Sequence, residues 1–122
     1  MKPFSASSPA DLRMLEQELQ DVWVDFSEAA LQGSDLHIPI ASRDTKKARD
    51  AIFDSYLRVG GVVSYEIVDR DQIAIGSFAS IAFDERQMVL LIRAIEPLSL
   101  SLEVRCIDIQ LVVDQSGSPF ET

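Results

Sequence analysis

The stretch "LSLSLEVRCIDIQLVV", residues 98–113, decides how this chain reads. Its even positions are apolar from 98 to 106 (Leu98, Leu100, Leu102, Val104, Cys106) and alternate with Ser99, Ser101, Glu103 and Arg105. From 107 onward the odd positions take over: Ile107, Ile109, Leu111 and Val113 are apolar, with Asp108 and Gln110 between them. Side chains along a strand alternate faces with a period of two, so this change of parity needs an inserted residue or a strong bend. One long strand, bulged near 106–107 and turning the corner of a curled sheet or barrel, satisfies both rows.

Upstream of it the chain reads as strands back to residue 62. "MVLLIRAI" (88–95) is apolar on both faces and suits a central strand, followed by a corner at Glu96-Pro97. In "IAIGSFASIAF" (73–83), Ile73, Ile75, Ile81 and Phe83 share one parity, and Gly76 marks a bulge or bend. "VVSYEIV" (62–68) puts Val63, Tyr65 and Ile67 on one face. The turns "DRDQ" and "DERQ" separate these runs, which reads as an up-and-down meander.

The first sixty residues carry the helical signals. Ser8 is placed to cap a helix over about 9–20, with Pro9 in its first turn, Asp11 three residues after the cap, and Leu12, Leu15 and Leu19 on one stripe. A second helix is expected over about 45–59. Ser42 or Asp44 would cap it, Ala48, Ala51, Ile52 and Tyr56 form its stripe, and Gly60-Gly61 end it. Between them, "DVWVDFSEAALQGSDLHIPI" (21–40) admits two readings. Val22, Phe26 and Ala30 can prolong the first helix to Gly33. Alternatively, Val22, Val24 and Phe26 alternate in a strand that turns at "QGSD" into Leu36, Ile38 and Ile40. Val-Trp-Val favours extended structure and Ser-Glu-Ala-Ala favours helix. The hairpin is the preferred reading, and it assigns Pro39 to an edge strand.

The expected fold class is therefore α+β: a bent antiparallel meander of four to six strands, open or barrel-like, with two helices packed against it. The 122 residues form one expected domain, with 1–7 and 114–122 as flexible tails. A chain of this length with 47% apolar residues buries about two-thirds of its unfolded surface and needs no staple. The single Cys106 cannot pair within the chain, "MKPFSASSPADLR" has no apolar core of signal length, and no run reaches the ~18 apolar residues of a membrane span. A cytoplasmic location is expected.

Charge narrows the partners. Residues 1–40 carry two bases against seven acids, residues 41–60 five against three, and residues 61–122 four against ten, for a net −9. Such a surface opposes nucleic acid and anionic membranes, so neither is expected as a partner. A protein partner is expected, basic if its approach is steered by charge, and a homodimer is the alternative.

The residues that could carry chemistry are few. The basic island of Arg43, Lys46 and Lys47 lies at the start of the expected second helix, where an anion or partner could dock. Asp50 lies four residues after Lys46 and Arg58 four after Asp54, so a paired, solvated helix face explains the same residues and is preferred. The acids Asp69, Asp71, Asp84 and Glu85 fall in separate turns at opposite ends of a meander, too far apart for one metal or one acid–base pair. His37 is the sole histidine and is expected at an exposed strand position; Cys106 is expected to be a buried, inert thiol, and Trp23 a core residue. No GxGxxG, Walker loop, GxSxG, HExxH or paired CxxC occurs, so no catalytic residue, cofactor or metal is expected and the protein is not read as an enzyme. The leading expectation is a non-catalytic acidic interaction module, of immunity or inhibitor type, covering a basic surface. The alternatives are a homo-oligomeric structural protein, and a ligand carrier or enzyme with a pocket in the curved sheet lined by His37, Tyr65, Glu103 and Arg105.

Overall fold

In the computed structural model, which describes residues 2–20, 22–41, 51–95 and 98–113, strands dominate. The elements in chain order are β1 (Phe4–Ala6), α1 (Pro9–Glu18), β2 (Trp23–Asp25), a 3-10 turn (Phe26–Glu28), β3 (Ala30–Gln32), β4 (Asp35–Ala41) and β5 (Ser55–Val59). They continue with β6 (Val62–Asp69), β7 (Ile75–Asp84), β8 (Val89–Ala94), β9 (Leu98–Val104) and β10 (Ile109–Val112).

Every ladder is antiparallel, and the ladder path runs β1-β10-β5-β4-β2-β7-β8-β9-β6, with β3 added to β4. Only residues 105–108 separate β9 from β10. The path that leaves β10 through β5 therefore returns to β9, and the sheet curls back on itself around one core. Leu36, Ile38, Ile40, Leu57, Leu90, Ile92, Leu98, Leu100 and Leu102 are all nearly inaccessible within it. Strands β6 to β9 stand in the order β7-β8-β9-β6, a Greek key in which β6 lies beside β9 and not beside β7.

The parity change at 98–113 coincides with a corner. Leu98, Leu100, Leu102 and Val104 face the core from β9, and Ile109 and Leu111 face it from β10. The partner strands turn at the same place. Val62 opposes Val104, Val59 opposes Ile109, and Gly60-Gly61 lie between. The Gly60 N–H donates to the Asp108 carbonyl (2.7 Å) and the Arg105 N–H to the Gly61 carbonyl (2.9 Å), so the two-stranded ribbon bends as a unit. Gly61 sits at φ +66, where an L side chain is strained.

A second corner lies in β7. Its first residues pair with β2 and its remainder with β8, with a register shift between Phe78 and Ser80. Gly76 and Phe78 face inward before the shift and Ile81 after it, so the inward parity flips here too. The parity expected to unite Ile73, Ile75, Ile81 and Phe83 is broken by this bulge, and Ile73 is exposed. At Gly76 a Cβ would come within 2.8 Å of the Ala94 Cβ, which fits a close approach of β7 to the end of β8.

The first helix forms as its caps dictate. The Ser8 hydroxyl accepts the Asp11 N–H (3.3 Å), and the Asp11 carboxylate accepts the Ser7 N–H (3.0 Å). That backbone donor from Ser7 holds the Asp11 carboxyl below its ordinary value of 3.8; desolvation opposes it, and the Ser8 groups add further to the lowering. Leu12, Leu15 and Leu19 are buried, and α1 packs against β1 and β7. Past the last rung with β2, the Ile81 N–H of β7 donates to the Glu16 carboxylate (3.0 Å), so the helix supplies an acceptor where no strand does.

Several expectations are corrected. The fold is not a balanced α+β arrangement of two helices on a meander of four to six strands: the described residues form ten strands and one α-helix. The expected helix over 45–59 fails where it is described. Residues 51–54 have no regular structure, and Ser55–Val59 is a central strand between β4 and β10. Ser55, Leu57 and Val59 alternate inward with Tyr56 and Arg58 outward, a strand period, while Ile52 of the supposed stripe is 75% exposed. Phe4–Ala6, expected within a tail, is β1 on the edge of β10, with Ala6 buried. The expected tail at 114–122 lies outside the described residues.

The hairpin reading of 21–40 agrees with the strands β2, β3 and β4, and the only helical turn there is the 3-10 turn Phe26–Glu28. Gly33, at φ +65, starts the two-residue turn between Gln32 and Asp35. Pro39, however, is not on an edge, because β4 pairs with β5 on one side and with β2 and β3 on the other. It stands at the interruption between the β2 rungs, which reach Ile40, and the β3 rungs, which begin at His37. Proline is tolerated where the ladder already has a gap.

Candidate functional site

Two surface features stand out, one polar and one apolar. The polar one crosses the outer faces of β4, β5 and β10. Arg58 bonds to Gln110 (Nε to Oε1, 2.8 Å), Asp35 (Nη1 to Oδ1, 3.1 Å) and Asp108 (Nη2 to Oδ1, 2.8 Å). It thus ties three strands and the corner together, and all its charge is matched by structural partners. Beside it, His37 stacks on Tyr56 with ring centroids 4.7 Å apart and planes at 24°. These rings, with Pro39, Phe53, Glu28 and Asp54, line an open groove of about 270 Å³. Phe53, Tyr56 and His37 are half-buried, while Glu28 and Asp54 stay exposed at the rim.

The apolar feature is the outer edge of β6. This strand of eight residues pairs with β9 alone and ends the ladder path, so one side of its backbone has no ladder partner among the described residues. Only its first rung is met from that side, where the Val62 N–H donates to the Ser34 carbonyl (2.9 Å). Tyr65 and Ile67 oppose Leu102 and Leu100 and so belong to the inward row. Yet Tyr65 is 39% exposed, and Val63 and Val68 are exposed as well. From Val62 to Val68 the only charged residue is Glu66. Edge strands usually protect themselves with lysine, proline, a short length or a bulge. β6 has a bulge at Val63, and no lysine or proline.

The residues singled out in the sequence are dispersed. Arg43, Lys46 and Lys47 lie outside the described residues. Asp69 and Asp84 do what turn aspartates do: Asp69 accepts the Ile73 and Ala74 N–H groups (2.7 Å each), and Asp84 accepts that of Arg86 (2.9 Å). Among the described residues no group of three or more His, Cys, Asp or Glu could hold a metal. Trp23 is half-buried in β2 between Ala41 and Ser77. Cys106, expected to be buried, is exposed, because it stands in the corner where neither apolar row continues. The four residues expected to line one pocket are not brought together: His37 is on the outer face of β4, whereas Tyr65 belongs to the inward row of β6. Glu103 accepts the Ser64 hydroxyl (3.3 Å), and Arg105 opens the corner.

The β6 edge was hidden in the sequence because a meander pairs β6 with β7 and leaves β6 covered differently. Its charge-poor composition was the available signal. Comparison with protein-family models, with curated proteins and with solved structures found no match. No helix among the described residues is long and apolar enough to cross a membrane.

Proposed function

We propose that this protein is a non-catalytic interaction module that receives an extended segment of a protein partner on the open side of β6. The observation that carries the proposal is an edge strand of eight residues whose exposed side chains include Val63, Tyr65 and Val68. Adding a strand to such an edge supplies main-chain hydrogen bonds, and alternate side chains supply selectivity. The net charge of −9 requires that the partner's contacting surface be basic or, like β6 itself, poor in charge.

A photo-reactive residue placed at Glu66 tests this directly in native lysate. Adducts with a polypeptide are the expected result. The absence of any polypeptide adduct overturns the reading.

The groove at His37 and Tyr56 favours a second reading, a site for a small organic cation, since aromatic faces beside two carboxylates suit an ammonium group. Titration with a quaternary ammonium salt, followed by the ring resonances of His37 and Tyr56, decides it: unchanged shifts remove this reading.

A further inference from the structure

We infer that the segment β6 receives is the β6 of a second copy of this chain, paired antiparallel about a two-fold axis at Tyr65. This rests on the reading of β6 as a docking edge and goes on to identify its occupant. Two copies of a chain carrying −9 repel each other, so their contact must fall where charge is sparse. The stretch Val62–Val68, with Glu66 as its only charge, meets that condition.

The register follows from self-complementarity. A two-fold axis normal to the sheet sets residues of equal parity opposite each other, so it passes midway between the two copies of one residue and makes the interface isologous. Centred on Tyr65, the ladder beyond the first rung at Val62 sets Tyr65 against the partner's Tyr65, Val63 against the partner's Ile67 and Ser64 against the partner's Glu66. No like charges meet, and aromatic or aliphatic groups face each other in all but the Ser–Glu rungs.

Neighbouring registers are worse. Centring on Glu66 sets two carboxylates face to face. Centring on Ile67 sets Tyr65 against the partner's Asp69 and Val63 against the partner's Asp71. Centring on Ser64 sets Tyr65 against the partner's bulged Val63 and leaves Glu66, Ile67 and Val68 beyond the bulge without a regular partner on the other strand. The favoured pairing joins β7-β8-β9-β6 of one copy to the same four strands of the other in a continuous sheet of eight, and it removes both exposed edges at once.

The test uses purified full-length protein. Light scattering at about 100 μM is expected to give a dimer. Opposed residues in an antiparallel ladder have Cα atoms about 4.5–5.5 Å apart, within disulfide reach, whereas residues two positions out of register exceed it. In a Cys106→Ser background, Tyr65→Cys is therefore expected to oxidise to a linked dimer and Glu66→Cys is not. Charge gives an independent check on the register: Ser64→Glu creates two opposed carboxylate pairs and is expected to raise the dimer dissociation constant about fivefold or more, while Ser64→Lys lowers it. Circular dichroism of each variant confirms that it is folded.

A monomer at 100 μM, or equal oxidation of the two cysteine variants, overturns the inference. If the purified protein is monomeric while the photo-reactive residue at Glu66 captures another polypeptide, the occupant is a different protein and the docking reading stands. If neither a dimer nor an adduct is found, both fall.

Discussion

β5 and β6 are consecutive lengths of one ribbon, joined by two glycines, and they meet opposite fates. β5 lies between β4 and β10, and Ser55, Leu57 and Val59 are all buried; its outward residues Tyr56 and Arg58 are also engaged, by His37 and by Asp35, Gln110 and Asp108. Among the described residues β6 lies beside β9 only, and of its eight residues Val62 alone is fully buried although five are apolar or aromatic. Composition does not separate the two strands; the number of neighbours does. An apolar residue on the inward row is buried only where the curled sheet closes over it, and beyond Val62 the described residues do not close over β6.

That contrast can be broken first by truncating one apolar side chain on each strand. Leu57→Ala removes a fully buried side chain and should cost about 2–5 kcal/mol in denaturant unfolding. Val68→Ala, at an exposed site, should stay within about 0.5 kcal/mol for the monomer. Equal losses would mean that β6 is covered and that the two strands do not differ.

The corner between them is the next largest lever. A Cβ at Gly60 would collide with the Asp108 carboxylate and come within 2.7 Å of the Arg58 Nη1, so Gly60→Ala must push apart the ion pair that ties β5 to the corner. A loss of about 1–3 kcal/mol is expected. Arg58→Met alone should cost about 1–2 kcal/mol, because its partners are partly solvated and its chain half-packed. In the Arg58→Met background the cost of Gly60→Ala should shrink, since the group it displaces is gone. Additive losses in this double-mutant cycle would show that the glycine answers to the backbone and not to the ion pair.

The same two strands mark how far the sequence could be read. The corner at 98–113 was legible because two strict alternations of opposite parity sit side by side, and only a bend reconciles them. β5 was misread because "SYLRV" is short and follows an Ala48–Ala51–Ile52 pattern at helical spacing, with Asp54 four residues before Arg58. What overrides that local pattern is distant in the chain: Arg58 takes Asp35 and Asp108, 23 and 50 positions away. β6 itself was correctly seen as a strand, but its neighbour was not. A short turn such as "DRDQ" suggests a hairpin, whereas here residues 70–74 carry the chain across to β2 and leave β9 to pair with β6. Cys106 was misplaced by one residue of corner, and the stacking of His37 on Tyr56 could not be seen while Tyr56 was assigned to a helix. The docking edge is therefore a property of strand order, which alternation along single segments does not encode.

The smallest expected effect comes from a site outside both strands, and it supplies the baseline for the contrast. Asp11 accepts the Ser7 N–H at the start of α1, and its carboxyl is held below the ordinary value of 3.8. A carboxyl depressed in the folded state stabilises that state above its unfolded pKa and loses the contribution as pH falls through the folded value. Asp11→Asn should therefore lower the melting temperature slightly at pH 7, and the difference from the parent should close as the pH drops below about 4. The group is partly exposed to solvent, so added salt should reduce the difference further. Because α1 packs chiefly on β1 and β7, the size of this shift should be the same in the dimer linked through Tyr65→Cys and in the monomer. A shift that changed on linkage would mean that the β6 edge communicates with the helix, and β6 could no longer be treated as a separate, uncovered flank of the sheet.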